Sequence, residues 1–170
     1  MRNPVIGALV MVLSLGFSGG LMAASAPERS PAPAPDVGWR TDVGELRLDE
    51  LRGKVVYLDF WASWCTPCRE SFPWMNALQE RFADRGLEVV AVNLDKDAAL
   101  VERFLERYPA QFTVAYDPSG ATAARFQVKG MPSSYLIDRQ GRVHLAHAGF
   151  READQAELEA RVSALLAAQP

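Results

Sequence analysis

Hydrophobic and polar positions recur with two different periods along this chain, and each change of period marks an element. Val55-Val56-Tyr57-Leu58-Asp59-Phe60 is a β-branched and aromatic run, the pattern of a buried strand. After Cys68, the residues Phe72, Met75, Leu78 and Phe82 recur at helical spacing, and Gly86 supplies a stop. Residues 87–94 read as a second strand. Asp97 stands where it can cap a helix whose apolar face is Val101, Phe104, Leu105 and Tyr108. Residues 112–116 form a third strand pattern, and Asp117-Pro118 reads as an N-cap and first-turn proline opening a short helix to about Phe126. Residues 134–137 and 143–148 flank the hairpin turn Asp138-Arg139-Gln140-Gly141. A last amphipathic helix covers 153–168, with Leu158, Val162, Leu165 and Leu166 on one side. Alternating strands and helices predict βαβ crossovers and a parallel core, and the terminal hairpin makes the sheet mixed: an α/β fold.

The first 36 residues follow different rules. Arg2 precedes the uncharged stretch 5–17, and Ala24-Ser25-Ala26 fits a small-residue cleavage pattern, so residues 1–26 read as a signal peptide. The competing reading is an uncleaved membrane anchor, against which the Gly and Ser residues at 14, 16 and 18–20 dilute the apolar run. With no cysteine nearby, a lipidated N-terminus is excluded. Pro27, Pro31, Pro33 and Pro35 then make 27–36 a stiff linker, expected to enter neither helix nor sheet. The domain proper is expected over 37–170.

Composition narrows the function. The chain has 170 residues, a formal charge of −3 and 23% charged residues, which fits one globular domain and argues against a nucleic-acid binder. Two cysteines are too few for a disulfide scaffold or a Cys-rich zinc module, yet both lie within four residues, at Cys65 and Cys68.

The run Trp61-Ala62-Ser63-Trp64-Cys65-Thr66-Pro67-Cys68 places them between a buried strand and a helix start. A thiol there faces unpaired backbone N–H groups and the positive end of the helix dipole, both of which favour thiolate. Cys65, the more exposed, is expected to attack; Cys68, inside the first turn, is expected to resolve the mixed disulfide. Three other readings compete. A purely structural disulfide closing so short a loop contributes only roughly 2 kcal/mol of chain entropy. Haem attachment needs a histidine where Arg69 stands. Zinc would need His144 and His147, which lie three apart on a predicted strand and should face opposite ways. Asp59 is expected to be buried with a raised pKa, able to exchange protons with Cys68; the alternative turns it to a solvated face. Met131-Pro132 at a strand entrance suggests a turn, with cis or trans left open.

Taken together, Gly53-Lys54-Val55-Val56, the run 60–68, Pro73 and Gly130-Met131-Pro132-Ser133 resemble the thioredoxin superfamily, and within it the periplasmic TlpA/ResA-like thiol-disulfide oxidoreductases. The resemblance covers nearly all of 37–170. It implies a thioredoxin fold with an N-terminal β extension and a helix–strand insertion between Leu94 and Val128. It also implies a cis peptide at Pro132, a helix kink at Pro73, and substrate binding by Trp64, Thr66, Pro67, Met131, Pro132 and Ser133. Three positions depart from the pattern. Ser71 stands where many relatives have glutamate, Asp59 where many have asparagine, and Ala91 where thioredoxin has a lysine. Without that lysine, Asp59 should be shifted upward more strongly.

The expected function is thiol-disulfide exchange by a monomer that needs no cofactor beyond the Cys65–Cys68 disulfide. It would reduce exported client proteins, for example in cytochrome c or copper-site assembly, and be recharged by a membrane-bound thiol reductant. The expected location is periplasmic or secreted, with no nucleic-acid or metal partner. The rival from another class is a copper-binding protein using the cysteine pair, Met131 and the histidines. A peroxidase fits less well, because Trp61 to Cys68 lacks the shape of a lone peroxidatic cysteine.

Overall fold

A computed structural model describes residues 31–168. The expected signal segment, residues 1–26, lies outside the described residues. The apolar run 55–60 does become the centre of the sheet. β4 (Val55–Trp61) is buried at every position, because it is covered on both faces. On one side it pairs in parallel with β5 (Leu87–Asn93), which in turn pairs in parallel with β6 (Thr113–Tyr116). On the other side it pairs antiparallel with β7 (Ser133–Ile137), and β7 with β8 (Arg142–Ala148). Helices α1 (Thr66–Phe82) and α2 (Ala98–Arg107) form the two crossovers of the parallel part, α3 (Ala121–Arg125) leads towards β7, and α4 (Gln155–Ala167) closes the chain.

The N-terminal extension is a hairpin, β2 (Gly38–Thr41) and β3 (Gly44–Arg47), that adds to the β6 edge through β2. At the far edge, β1 (Ala32–Pro33) pairs with Arg142 and Val143 of β8, and Ala34 N donates to Gly141 O at 2.9 Å. This corrects the expectation that the proline run enters no sheet. An edge strand needs hydrogen bonds on one side only, so a proline is tolerated there. The complete order is β1-β8-β7-β4-β5-β6-β2-β3.

Alternation along β4 divides the core. Val55, Tyr57 and Trp61 pack with α1 and α4, through Phe72, Met75, Leu78, Leu158 and Val162, and with Val101 and Phe104 of α2. Val56, Leu58 and Phe60 face the other way, against Val37, Trp39, Leu48, Leu51, Ala123 and Phe126. Asp97 caps α2 as expected, accepting from Ala99 N at 3.0 Å. Asp117-Pro118 does not open α3 directly. Gly120 is its N-cap residue, and Asp117 reaches forward to the amides of Ala121, Thr122 and Ala123. The last helix also starts later than expected, at Gln155, after a short 3₁₀ turn over Glu152–Asp154. Gly141 closes the turn between β7 and β8 at a φ of +71°, a left-handed conformation that other residues rarely adopt. No helix among the described residues is long and apolar enough to cross a membrane.

Candidate active site

The chemistry-bearing residues gather at one end of the sheet, where β4 and β5 finish and the antiparallel β7 begins. From β4 the chain runs straight through Ala62, Ser63 and Trp64 into α1. Cys65 is the N-cap residue, Thr66 and Pro67 open the first turn, and Cys68 lies within it. The two cysteines are joined in a disulfide. Cys65 Sγ accepts from the Cys68 backbone N–H at 3.2 Å, so the sulfur that would become a thiolate already sits on an orphan helix donor. Pro73 continues α1 from within. Cys65 is only 3% exposed and Cys68 is fully buried; access is therefore narrower than the sequence suggests. Trp64, by contrast, is 65% exposed beside the pair, with Thr66 exposed and Pro67 half-buried.

The β7 side of the site comes from the loop before that strand. Met131-Pro132 is a cis peptide. Because Ser133 pairs with Phe60, Pro132 lies at the strand end from which the cysteine segment departs. Met131 is half-buried against the cluster that holds both cysteines, and Pro132 is buried, its carbonyl accepting from Gly149 N at 2.8 Å. The Ser133 hydroxyl is spent on Gly130 O at 2.7 Å, closing the turn rather than facing outward.

Asp59 lies in mid-strand at 1% exposure, on the face that carries Tyr57 and Trp61 towards α1. The solvated alternative is excluded by that burial. Ser134, its partner across β7, donates to Oδ1 at 2.8 Å, while Oδ2 is buried without a hydrogen bond. Burial pushes the carboxyl up to about 7, against the smaller opposing pull of the Ser134 hydroxyl. Ala91, its neighbour on β5, offers no counter-charge.

Helix α1 buries no acid: its glutamates, Glu70 and Glu80, are both exposed. Ser71 is buried and donates to Cys68 O at 3.1 Å. The buried carboxyl on the sheet face of Tyr57 and Trp61 therefore comes from the strand, at Asp59.

The Redoxin family model matches residues 28–162. The chain belongs to that family. It is 30% identical to the thiol-disulfide oxidoreductase ResA of Bacillus subtilis over 138 residues, 79% of this chain and 77% of that protein. The ResA of Bacillus cereus matches at 35% over 99 residues, 58% of this chain, and the match spans 57% of the relative's length. Among solved structures, a crystal structure from Chlorobium tepidum, described as a candidate thiol:disulfide interchange protein DsbE, aligns with a TM-score of 0.79 at 50% identity. It covers 84% of this chain and 99% of that one. These likenesses confirm the thioredoxin-like fold and the ResA-like resemblance carried by the motifs.

This redoxin also uses residues that the sequence pattern did not single out. Asp95 is buried just beyond β5; its carboxylate accepts from Ser63 N at 2.7 Å, Ser63 Oγ at 2.9 Å and Asn93 Nδ2 at 2.8 Å. It thereby pins the segment that presents Trp64 and Cys65. An Asn and an Asp ending an apolar strand were the available signal. The histidines do not join the pair: His144 Nε2 lies 2.7 Å from Asp138 Oδ2, and His147 Nε2 lies 3.4 Å from Asp154 Oδ2. Among the described residues no cluster of three or more His, Cys, Asp or Glu side chains is placed to hold a metal.

Proposed function

We propose that this redoxin is a thiol-disulfide oxidoreductase that reduces protein disulfides through Cys65 and Cys68. One observation carries the reading: the cysteine pair caps and opens α1 on the same sheet face as a buried, half-satisfied carboxyl. In the reduced protein, the Cys65 thiolate attacks a client disulfide and one client sulfur leaves, taking up a proton. The Cys68 thiol then gives its proton to Asp59 and attacks Cys65 Sγ. The second client sulfur leaves and is protonated in turn. Two electrons pass to the client and the Cys65–Cys68 disulfide forms. No bound cofactor enters this cycle.

Trp64, Thr66, Pro67, Met131, Pro132 and Ser133 form the proposed substrate rim, Ser133 by holding the turn before β7. We assign the protein to the periplasm or another exported compartment, following the leader-like pattern of residues 1–26. In such a compartment the pair must be recharged by a membrane-bound thiol reductant. Exported thiol proteins, including those of cytochrome c or copper-site assembly, are the proposed clients, and the proposed working form is a monomer.

The decisive test is trapping. Cys68→Ser should accumulate a mixed disulfide on Cys65 with an oxidised protein substrate, and Cys65→Ser should form none. If Cys68→Ser traps nothing while the wild type reduces the same substrate, the order of attack is wrong. A reduction potential as oxidising as that of a strong dithiol oxidase would overturn the reductase direction.

A further inference from the structure

The sheet register continues the polar character of Asp59 sideways. Asp59 pairs with Ser134 on β7, and Ser134 pairs with His147 on β8. Directly opposed residues in a sheet point to the same face, so these side chains form one row across the strands. The row runs from inside to outside. Asp59 and Ser134 are buried, whereas the His147 side chain is 24% exposed and lies beside Asp154, from the 3₁₀ turn that precedes α4. Arg151 holds Asp154 with hydrogen bonds of 3.0 Å and 2.9 Å, which fixes the outer end. His147 Nε2 is buried, 3.4 Å from Asp154 Oδ2 and without a well-formed hydrogen bond.

The other groups around the row leave it this task. Tyr57 is on the same strand and face as Asp59; burial raises its phenol first and the nearby Asp59 charge further, against the smaller pull of a hydrogen bond with Ser134, so it stays neutral. β5 presents Ala91, and α1 presents the cysteine pair. α4, which packs on β4, buries Leu158, Val162 and Leu166 in this cluster. Its charged residues are engaged elsewhere, Glu159 with Arg81 and Glu157 with Arg161. On β8, His144 and Arg142 are both taken by Asp138.

We propose that Ser134 and His147 are positioning residues that form the proton outlet of Asp59, Ser134 relaying and His147 exchanging with water. The inference rests on the disulfide-exchange reading above. When Cys68 attacks, Asp59 receives its proton. With the Ser134 hydroxyl turned towards β8, that proton passes to Ser134 Oγ while the hydroxyl's own proton moves to the His147 imidazole. The imidazolium then releases a proton to water. The serine ends as it began, and no electron travels along the row.

The test separates attack from resolution in the full-length reduced protein. In His147→Gln, alkylation of Cys65 by iodoacetamide should keep its wild-type rate. Resolution of a mixed disulfide should slow roughly tenfold near neutral pH, a fraction of what a positioned proton-transfer group supplies. Added imidazole should restore part of the rate. Ser134→Ala should slow the same step without imidazole rescue, and Ser134→Thr, which keeps the hydroxyl, should behave as wild type. Resolution within twofold of wild type in both His147→Gln and Ser134→Ala would overturn the outlet. A client-free measurement keeps this apart from the parent reading. In the oxidised protein, the Asp59 carboxyl titration curve should differ between wild type and His147→Gln. Identical curves in the two proteins overturn the proposal even if disulfide reduction is confirmed. A wild type that resolves no mixed disulfide would sink the parent reading instead.

Discussion

Among the buried aspartates, Asp59 and Asp117 are treated in opposite ways by their surroundings. Asp117 is wrapped by donors: the hydroxyls of Thr122 and Ser119 and the amides of Ala121, Thr122 and Ala123. Burial alone would raise its pKa, but these hydrogen bonds outweigh it and hold the carboxyl below the usual range. Asp59 has the Ser134 hydroxyl and nothing on its second oxygen. One acid is built to stay charged and anchor a helix. The other is kept where its charge is costly, on the sheet face that also carries the cysteine pair. A fold can bury a carboxylate cheaply when donors are available, so leaving Asp59 short of them fits the proton-exchange role proposed for it above.

The largest effect should come from removing the unfavourable charge. Below about pH 4, near the ordinary aspartate pKa, Asp59 is protonated both folded and unfolded, and its charge costs nothing. As pH rises towards the folded value of about 7, the unfolded chain releases the proton first, so folding loses stability across that window. The accumulated cost is of order 4 kcal/mol above that point. In the oxidised protein, Asp59→Asn should therefore be more stable than wild type by about that amount near pH 8 and roughly equal to it near pH 4, by urea unfolding. A gain that does not vary with pH would show that the carboxyl does not titrate in this window. The same substitution should slow the resolution step, since the amide cannot accept the Cys68 proton.

Asp117→Ala should move stability the other way. It removes the acceptor for the buried Ala123 amide and for the start of α3, a loss of about 2 kcal/mol at neutral pH. With a depressed folded pKa, the wild-type advantage is present above the ordinary aspartate value and fades as pH falls through the folded one. Disulfide exchange should be unchanged at temperatures where the variant is folded. If its exchange falls as far as that of Asp59→Asn, the contrast between the two acids fails.

The sequence foretold these two acids unequally. Asp59 was legible because a charge interrupting Val55 to Phe60 is costly wherever that run becomes a central strand. The cysteine pair was legible because its spacing and its place between strand and helix are local facts. Asp117 announced a helix start, but its side chain reaches across a turn that only the folded backbone defines, so the start was placed too early. Ser134 lies 75 residues from Asp59, and nothing in its neighbourhood marks it as a carboxyl partner. Asp95 reaches back 32 residues to Ser63 in the same way. The short strands β2 and β3 went unread from their pattern, and β1 was hidden by Pro33, because edge pairing asks little of a sequence. What escaped was pairing over long separations, which sheet register decides and local periodicity does not carry.

The smallest expected effect tests whether the asymmetry belongs to the two faces or to the two acids alone. Each face also buries a tryptophan. Trp39, on the Asp117 side, donates from Nε1 to Thr122 Oγ1 at 2.8 Å, joining the same network as Asp117. Trp61, on the Asp59 side, has a buried Nε1 with no acceptor, although its ring packs against Phe72 and Phe104. Trp→Phe removes ring volume at both sites but a hydrogen bond at only one. Trp39→Phe should therefore carry an extra loss of about 1 kcal/mol beyond packing, and that extra should vanish in a Thr122→Val background. In Trp61→Phe no partner is stranded, so any loss should follow cavity size alone. An equal hydrogen-bond contribution at both tryptophans, read from the double-mutant cycle, would confine the asymmetry to Asp59 and Asp117. A contribution at Trp39 only would extend it across the sheet, with unsatisfied polar atoms concentrated on the cysteine side.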